Sequence, residues 1–238
     1  MYSKKPLKGN YNDRVRLKKE ITHIVVHFTA NNGDTARGNL NYFAGNLVKA
    51  SAHFFVDERE VCASVPELCI AYHCGGKKYL GTYPEFYGVC YNSNSIGVEL
   101  CSRKDDYGED GYLYYFLDKT VENAARLVAE LMVKYDIPMK NVIRHYDVTG
   151  KKCPAPFVYD EGEWVNFKRL VASFLEDDAM FYEKLDEIPA GELRETVRFC
   201  VDKGIVKGTG SGLHLTMDNI RMLVFCKRMI ENEKKTEV

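Results

Sequence analysis

Short runs of β-branched and apolar residues alternate with amphipathic segments along most of the chain. Residues 21–27 read Ile-Thr-His-Ile-Val-Val-His, which is typical of a buried central strand. Further short strands are expected at 53–56, 95–101 and 142–143. Residues 119–135 place their apolar side chains at the spacing of a helix that packs on a sheet. This alternation predicts an α/β domain with a mixed central β-sheet flanked by helices.

The last part of the chain has a different pattern. An acidic segment at 176–178 indicates a boundary, so we expect one domain over residues 1–176 and a small helical C-terminal domain over 177–238. Residues 193–201 form one helical stripe, and Thr216 is a suitable cap for a second helix. Because two short helices cannot enclose a large core, we expect this piece to dock on something else.

Composition and charge exclude several classes of partner. The 33 Lys and Arg residues nearly balance the 34 Asp and Glu residues, so we expect no nucleic acid and no membrane as partner. The basic N-terminus lacks the apolar run of a secretory signal, which predicts a protein made in the cytoplasm without a signal peptide. Most of the 8 cysteines are therefore expected to be buried free thiols, with Cys153 as the exception.

Two histidines and one cysteine could hold a metal ion. A catalytic zinc site uses three protein ligands and leaves one position open. His27 ends the first strand, and His145 precedes Cys153 by eight residues in a segment shaped by Gly150 and Pro154. Taken alone, His27 would be interpreted as a packed core residue, and the spacing of the other two is a weak pattern. His23 cannot share an ion with His27, because four residues of strand separate them by about 13 Å.

The wider sequence resembles the zinc-dependent N-acetylmuramoyl-L-alanine amidases of phage endolysins and bacterial autolysins, in the superfamily of the peptidoglycan-recognition proteins. The similarity covers about residues 20–160. It implies a mixed sheet flanked by helices, one Zn²⁺ per chain held by His27, His145 and Cys153, and hydrolysis of the amide between N-acetylmuramic acid and L-alanine. The matching segments are Ile24-Val25-Val26-His27, Ser51-Ala52-His53-Phe54, Ala71-Tyr72-His73, Asn94-Ser95-Ile96-Gly97-Val98-Glu99 and the loop from His145 to Pro154.

Glu99 and Lys151 are the predicted catalytic residues. Glu99 interrupts an apolar strand, where a carboxylate either forms an ion pair or faces a polar groove. The resemblance favours a general base, and Lys151 stands where family members carry a lysine that faces the oxyanion, whereas Lys152 is expected to be solvated. One phage branch has a catalytic tyrosine at the position of Ala52, which shifts the expected role further to Glu99.

Three residues are predicted to contact the muropeptide substrate. His73 and Tyr72 belong to a segment that borders the substrate in the family, and His53 is either a core hydrogen-bonding residue or part of the groove wall, with the groove favoured. The tyrosines between Tyr72 and Tyr91 could line a cleft for sugar and peptide, although such a stripe is also typical of simple packing.

Two alternatives stay open. The C-terminal piece, through residues 206–212, weakly resembles a single surface-layer-homology unit, which predicts cell-wall binding or self-association; a structural cap is an equal interpretation.

A non-catalytic peptidoglycan-binding protein on the same fold is the main rival to an enzyme, and Cys153 argues against it. Another type of hydrolase is disfavoured by the order of the matched segments. A bacteriolytic enzyme of this kind would reach the wall through a holin or by a non-classical route.

Overall fold

The computed structural model describes residues 6–105, 114–179, 181–209 and 212–236. Its contacts divide the chain into two compact units, residues 1–172 and residues 173–238. The first unit contains the sheet, and the second contains the last two helices. No helix within the described ranges is both long and apolar enough to cross a lipid bilayer.

A five-stranded mixed sheet forms the centre of the first unit. The strands are β1 (His23–Phe28), β2 (Phe54–Val56), β3 (Val61–Ala63), β4 (Ser95–Leu100) and β5 (Val142–Arg144). The order across the sheet is β3-β2-β4-β1-β5; β3 is antiparallel to β2, and the other neighbours are parallel. The predicted α/β fold with a mixed sheet is confirmed. Two-residue strands pair Tyr11–Asn12 with Ile70–Ala71, Arg103–Lys104 with Tyr114–Tyr115 and Phe181–Tyr182 with Leu215–Thr216.

Strand β1 is buried between β4 and β5. Ile24, Val25 and Val26 have no exposed surface, and full burial of such a side chain contributes about 1.5–3 kcal/mol. Because β1 runs parallel to both neighbours, the carboxyl ends of all three strands lie at one edge of the sheet. This edge carries His27 and Glu99, near the ends of their strands.

Helices pack around this sheet where the apolar spacing predicts them. The Thr35 hydroxyl caps α1 by accepting from the backbone N–H of Gly38 at 3.0 Å, and α1 packs against Phe55 of β2. Helix α2 buries the predicted apolar stripe, including Val128 and Leu131. The helices are α1 (Ala36–Gly45), α2 (Asp118–Tyr135), α3 (His145–Thr149), α4 (Ala155–Tyr159), α5 (Glu161–Ala179), α6 (Glu192–Asp202) and α7 (Met217–Thr236).

The segment after β5 differs from the prediction of a loop rich in Gly and Pro. It contains the two short helices α3 and α4. The Asp147 carboxylate accepts from the backbone N–H of Arg144 at 2.8 Å, which stabilises the start of α3. Gly150 then ends α3 with a φ of 80°, a conformation that favours glycine. His145 is therefore on a helical turn at the end of a strand, which fixes its backbone.

The second unit has a small core of its own. Helices α6 and α7 form at the predicted positions, and the Thr216 hydroxyl accepts from the backbone N–H of Asn219 at 3.3 Å. Arg228 on α7 pairs with Glu192 on α6. The core consists of Tyr182, Ile188, Val197, Met217 and Ile220, with partly buried leucines around it.

Candidate metal centre and active site

His27 lies at the carboxyl end of the central strand and is 2% exposed. Its register partner on β4 is Glu99, whose own partner on β2 is Phe55. Neighbouring residues in register on parallel strands project from the same face of a sheet. The imidazole and the carboxyl group therefore share one face, one strand apart.

His145 and Cys153 are brought to the same place by a closed loop. The backbone N–H of Tyr146 donates to the carbonyl of Cys153 at 2.8 Å, which joins the two ends of the loop. Arg144 anchors its base: the buried guanidinium pairs with Asp147 at 2.9 Å and with Glu161 at 2.6 Å. The convergence depends on these backbone and ionic contacts, which hold the loop before any ion binds.

The predicted metal ligands meet at one point. Ligand atoms of His27, His145 and Cys153 all lie within 4.8 Å of one another, and all three residues are buried. The Cys153 Sγ is 3.7 Å from the His27 Nδ1, and the rings of the two histidines are 4.8 Å apart. Nδ1 of His145 is buried and has no hydrogen-bond partner in the part of the chain that the structure describes. A buried nitrogen without a partner, beside a thiol and a second imidazole, fits a metal ion.

Burial shifts the pKa values of all three predicted ligands towards their neutral forms. It lowers the pKa of His27 well below the usual value, and it lowers that of His145 to about 4, with Lys151 acting in the same direction. Burial raises the pKa of the Cys153 thiol to about 12, and Glu99 adds to this rise. Both imidazoles are therefore ready to bind a cation at neutral pH, whereas the thiol must lose a proton to do so.

Glu99 and Lys151 line a common cavity of about 710 Å³. Burial raises the pKa of Glu99 to about 8; Lys151 lowers it and Asp34 raises it. Oε2 of Glu99 is buried without a hydrogen-bond partner among the described residues. The ion pair considered as an alternative for Glu99 is thus not formed as a direct contact within the described chain.

Lys151 also lines a second cavity, of about 620 Å³. Tyr72, His73 and His145 line it together with Lys151. We refer to the two cavities, which share Lys151 as a lining residue, as the groove. Tyr72 and His73 thus line a cavity, and their contact with the substrate stays a prediction.

His53 is not in the groove. Its side chain has no exposed surface, and the imidazole lies behind His73, with ring centroids 5.7 Å apart. Nδ1 of His53 accepts from the backbone N–H of Gly97 at 2.9 Å, and Nε2 lies 3.1 Å from the carbonyl oxygen of Cys69. The preferred interpretation of His53 as groove wall is corrected: the residue joins β4 to the segment before His73, as the core alternative required.

Two arginines that support the site were missed in the sequence. Arg16 is 1% exposed and donates to the carbonyl oxygens of Ser95 and Cys69 at 2.8 and 2.7 Å. Arg144 anchors the loop that carries His145. The signal for Arg144 was its place at the end of an apolar strand beside a candidate ligand. Arg16 gave no signal, because it stands in a basic segment that is typical of solvated surface.

Comparison with known proteins identifies the family. The family described as N-acetylmuramoyl-L-alanine amidase matches residues 17–156. The chain belongs to this family. The resemblance predicted from the sequence is confirmed, and the matched range spans all five segments, the last of which is the loop from His145 to Pro154.

Relatives of this amidase domain occur in Bacillus. The chain is 38% identical over 160 residues to the N-acetylmuramoyl-L-alanine amidase CwlL of Bacillus licheniformis, and 38% identical over 162 residues to BlyA of Bacillus subtilis. The alignments cover 65% and 63% of this chain but 42% and 41% of the relatives. The chain therefore spans less than half the length of these relatives.

Solved structures share the amidase fold. The structure of PlyL is 28% identical with a TM-score of 0.54, and the alignment covers 71% of this chain and 94% of that one. The catalytic domain of XlyA, an amidase of Bacillus subtilis, is 26% identical with a TM-score of 0.54 and covers 71% and 97%. The similarity is confined to about the length of the first unit.

Proposed function

We propose that the protein is a zinc-dependent hydrolase of peptidoglycan that cleaves the amide bond between N-acetylmuramic acid and L-alanine. Membership of the amidase family supports the reaction. The observation that carries the proposal is the convergence of ligand atoms of His27, His145 and Cys153 within 4.8 Å. Glu99 is the register partner of His27, and Lys151 lines one cavity with Glu99 and another with His145. Because peptidoglycan is the material of the bacterial cell wall, the enzyme would act there.

Two imidazole nitrogens and one thiolate form the proposed ligand set. This mixture of nitrogen and sulfur suits Zn²⁺ better than the oxygen-preferring Mg²⁺ or Ca²⁺. When bound, a zinc ion supplies Lewis-acid activation of the scissile carbonyl and of the attacking water. The closed loop from Tyr146 to Cys153 holds two of the ligands in place, which reduces the cost of ordering them.

Glu99 is proposed as the general base. Its carboxyl group is next to His27 in register, and its buried oxygen Oε2 has no partner within the described residues, so it is available to a water molecule. A pKa raised to about 8 makes this carboxylate a stronger base than an ordinary glutamate. The proton taken at the carboxylate could then be returned to the leaving amine.

Lys151 is proposed to stabilise negative charge on the substrate oxygen. It borders both halves of the groove, and its charge acts on Glu99, His27 and His145 through the pKa shifts described above. A cation near a developing oxyanion lowers the barrier because it stabilises the negative charge as that charge forms.

Tyr72 and His73 are proposed to border the bound muropeptide. Both line the 620 Å³ cavity beside Lys151. An aromatic side chain at the surface of a groove suits the apolar faces of a sugar. Cell-wall binding or self-association by the C-terminal unit stays a prediction.

The rival function is peptidoglycan binding without catalysis. A binding protein has no need of a buried thiol aimed at two imidazoles, since an unused polar cluster of this kind is costly to bury. The pairing of Cys153 with both histidines, and the buried Glu99 beside them, therefore favours the enzyme.

Digestion of purified peptidoglycan tests the proposal. The protein loaded with zinc should release stem peptides with a free L-alanine amino terminus, leaving intact N-acetylmuramic acid on the glycan, and mass spectrometry identifies both ends. The metal-free protein, kept in chelator, is the matched control and should release neither. New ends at a glycosidic bond or within the peptide would contradict the proposed reaction.

A further inference from the structure

The two ring nitrogens of His27 face different groups. Nδ1 lies 3.7 Å from the Sγ of Cys153, on the side of the proposed ion. Nε2 lies 3.0 Å from Nδ1 of His73. A neutral imidazole carries hydrogen on one nitrogen only, and a metal ion binds the other. Whether His27 can bind the ion through Nδ1 therefore depends on whether Nδ1 of His73 donates or accepts the hydrogen bond with Nε2 of His27.

A chain of hydrogen bonds determines the answer. The Ser95 hydroxyl lies 2.6 Å from the carbonyl oxygen of Tyr91, which can only accept, so the hydroxyl donates its hydrogen there. Ser95 Oγ also lies 3.2 Å from Nε2 of His73. Since its one hydrogen is already used, Ser95 accepts at this contact and Nε2 of His73 donates. Nδ1 of His73 is then the nitrogen without hydrogen, and it accepts from the Nε2–H of His27.

We propose that His73 is a positioning residue that holds His27 in the tautomer whose Nδ1 can bind the metal ion. The chain runs from the Tyr91 carbonyl through Ser95 and His73 to His27, and it ends with a bare nitrogen beside Cys153. The proposal rests on the proposed function in one respect, because it takes His27 as a metal ligand. Partners of this kind orient ligating histidines and raise their basicity.

The surroundings of His73 are built to hold this ring. The side-chain oxygen Oδ1 of Asn92 accepts from the backbone N–H groups of His73 and Cys74 at 3.0 and 2.9 Å. On the other side, a Cβ at Gly97 would lie 2.6 Å from Cγ of the His73 ring, closer than such atoms approach. Glycine in the middle of β4 thus makes room for the imidazole. A side chain that only lined the substrate groove would not require this space beneath it.

Two substitutions at His73 separate hydrogen bonding from packing. His73→Asn keeps an amide oxygen near the position of Nδ1, whereas His73→Leu removes the acceptor at similar volume. In the full chain, competition with a chromophoric chelator should show zinc affinity about 10–100-fold weaker for His73→Leu, and within a few-fold of wild type for His73→Asn. His23→Asn is the matched control, because His23 is on the same strand as His27 and its imidazole contacts the Thr22 hydroxyl and not the proposed metal site.

Two further readouts do not depend on activity. Nitrogen-15 NMR of the metal-free wild type should show His27 with hydrogen on Nε2, and His73→Leu should show a mixture of tautomers. Cobalt substituted for zinc should keep its thiolate charge-transfer band in His73→Asn and show a shifted band in His73→Leu. Ser95→Ala breaks the hydrogen-bond chain one link further from the ion and should give a smaller loss of zinc affinity. This variant provides the test if His73→Leu does not fold.

The outcomes distinguish this inference from the function on which it rests. Wild-type protein that binds no zinc would remove the proposed function itself. Wild-type protein that binds zinc, with His73→Leu binding equally well and retaining hydrogen on Nε2 of His27, would overturn the positioning role alone. Equal losses in His73→Leu and His73→Asn would also overturn it, because packing and not an acceptor would then be what the ion needs.

Discussion

Glu99 and His27 are register partners on neighbouring parallel strands, yet their polar atoms differ in the hydrogen-bond partners that they have. Both nitrogens of His27 face other residues of the site, whereas Oε2 of Glu99 has no partner within the described residues. The strand pairing thus sets an unpaired carboxyl group beside a proposed metal ligand. A group left unpaired in this position is available to a substrate or a water molecule.

Glu99→Gln should keep zinc and lose most turnover. The amide has nearly the same shape but cannot accept a proton, and removal of a general base typically costs about 10²–10⁴ in rate. The measurements are kcat on purified peptidoglycan and zinc content by elemental analysis. Asp34→Asn is the control, because Asp34 lines the same cavity but its carboxylate already accepts from Thr29 and Asn39. Full activity in Glu99→Gln would show that another group is the base.

The same substitution should stabilise the metal-free protein at high pH. The pKa of Glu99 is about 8 in the folded state and ordinary in the unfolded state, so the unfolded chain releases its proton first as the pH rises. The folded state of the wild type therefore loses stability between about pH 4.5 and pH 8. Gln does not titrate, and linkage over this pKa difference makes the variant about 4–5 kcal/mol more stable than wild type at pH 8.5.

Urea unfolding in the presence of chelator, at pH 5 and pH 8.5, measures this difference. At pH 5 the two proteins should be nearly equal, because Glu99 is protonated in the folded state. His27 and His145 titrate in both proteins, so their contribution cancels from the comparison. A difference that does not change with pH would contradict a raised pKa for Glu99.

Lys151 and Lys152 offer a matched pair of adjacent lysines. Lys151 lines both cavities, whereas Lys152 lines the first alone and places its ammonium group 4.9 Å from the ring centre of Tyr159. Lys151→Ala should lower kcat about 100-fold, the usual cost of losing one group that stabilises an oxyanion, while KM changes little. Lys152→Ala should stay within a few-fold of wild type. Equal effects of the two substitutions on kcat would remove the proposed role of Lys151.

Cys153→Ser should abolish lysis and zinc binding while wall binding partly survives. Serine replaces the thiolate by a weak ligand, and the groove residues that contact the wall polymer are unchanged. Turbidity of cell-wall suspensions, zinc content and sedimentation with walls measure the three properties. Cys226→Ser is the control for loss of a thiol, since Cys226 is exposed on α7. A Cys153→Ser protein with stoichiometric zinc and lytic activity would refute this ligand.

Much of the fold and of the metal site could be predicted from the sequence. The β-branched run at β1 and the stripe of α2 depend on local periodicity, which the chain displays directly. The cluster of His27, His145 and Cys153 was predicted through the family resemblance, because the spacing of these residues is by itself a weak pattern. The family resemblance then gave the roles of Glu99 and Lys151 as expectations.

The remaining features depend on contacts between distant segments. His53 precedes a short apolar run and His73 follows one, and only the burial of the His53 ring in the folded chain separates a core residue from a groove residue. Arg16 is buried because it reaches carbonyl oxygens of residues far along the chain, Ser95 and Cys69. A basic side chain near the N-terminus has no sequence pattern that distinguishes this role from solvation.

Zinc affinity should rise at least tenfold per pH unit between pH 6 and pH 8. The pKa of the Cys153 thiol is about 12 without metal, so binding must displace one proton from sulfur throughout this range. The pKa of His145 is lowered to about 4 and that of His27 lies well below its usual value, so neither imidazole competes with a proton.

Glu99 makes zinc affinity rise more steeply with pH if the ion also displaces the proton of its carboxyl group, since the pKa of Glu99 is about 8. Affinities measured by chelator competition at pH 6, 7 and 8 give the slope, and calorimetry in two buffers of different ionisation enthalpy counts the protons released. Glu99→Gln should reduce the slope towards one, because only the thiol then releases a proton. Affinity that does not change across this range would show that the sulfur of Cys153 is not a ligand.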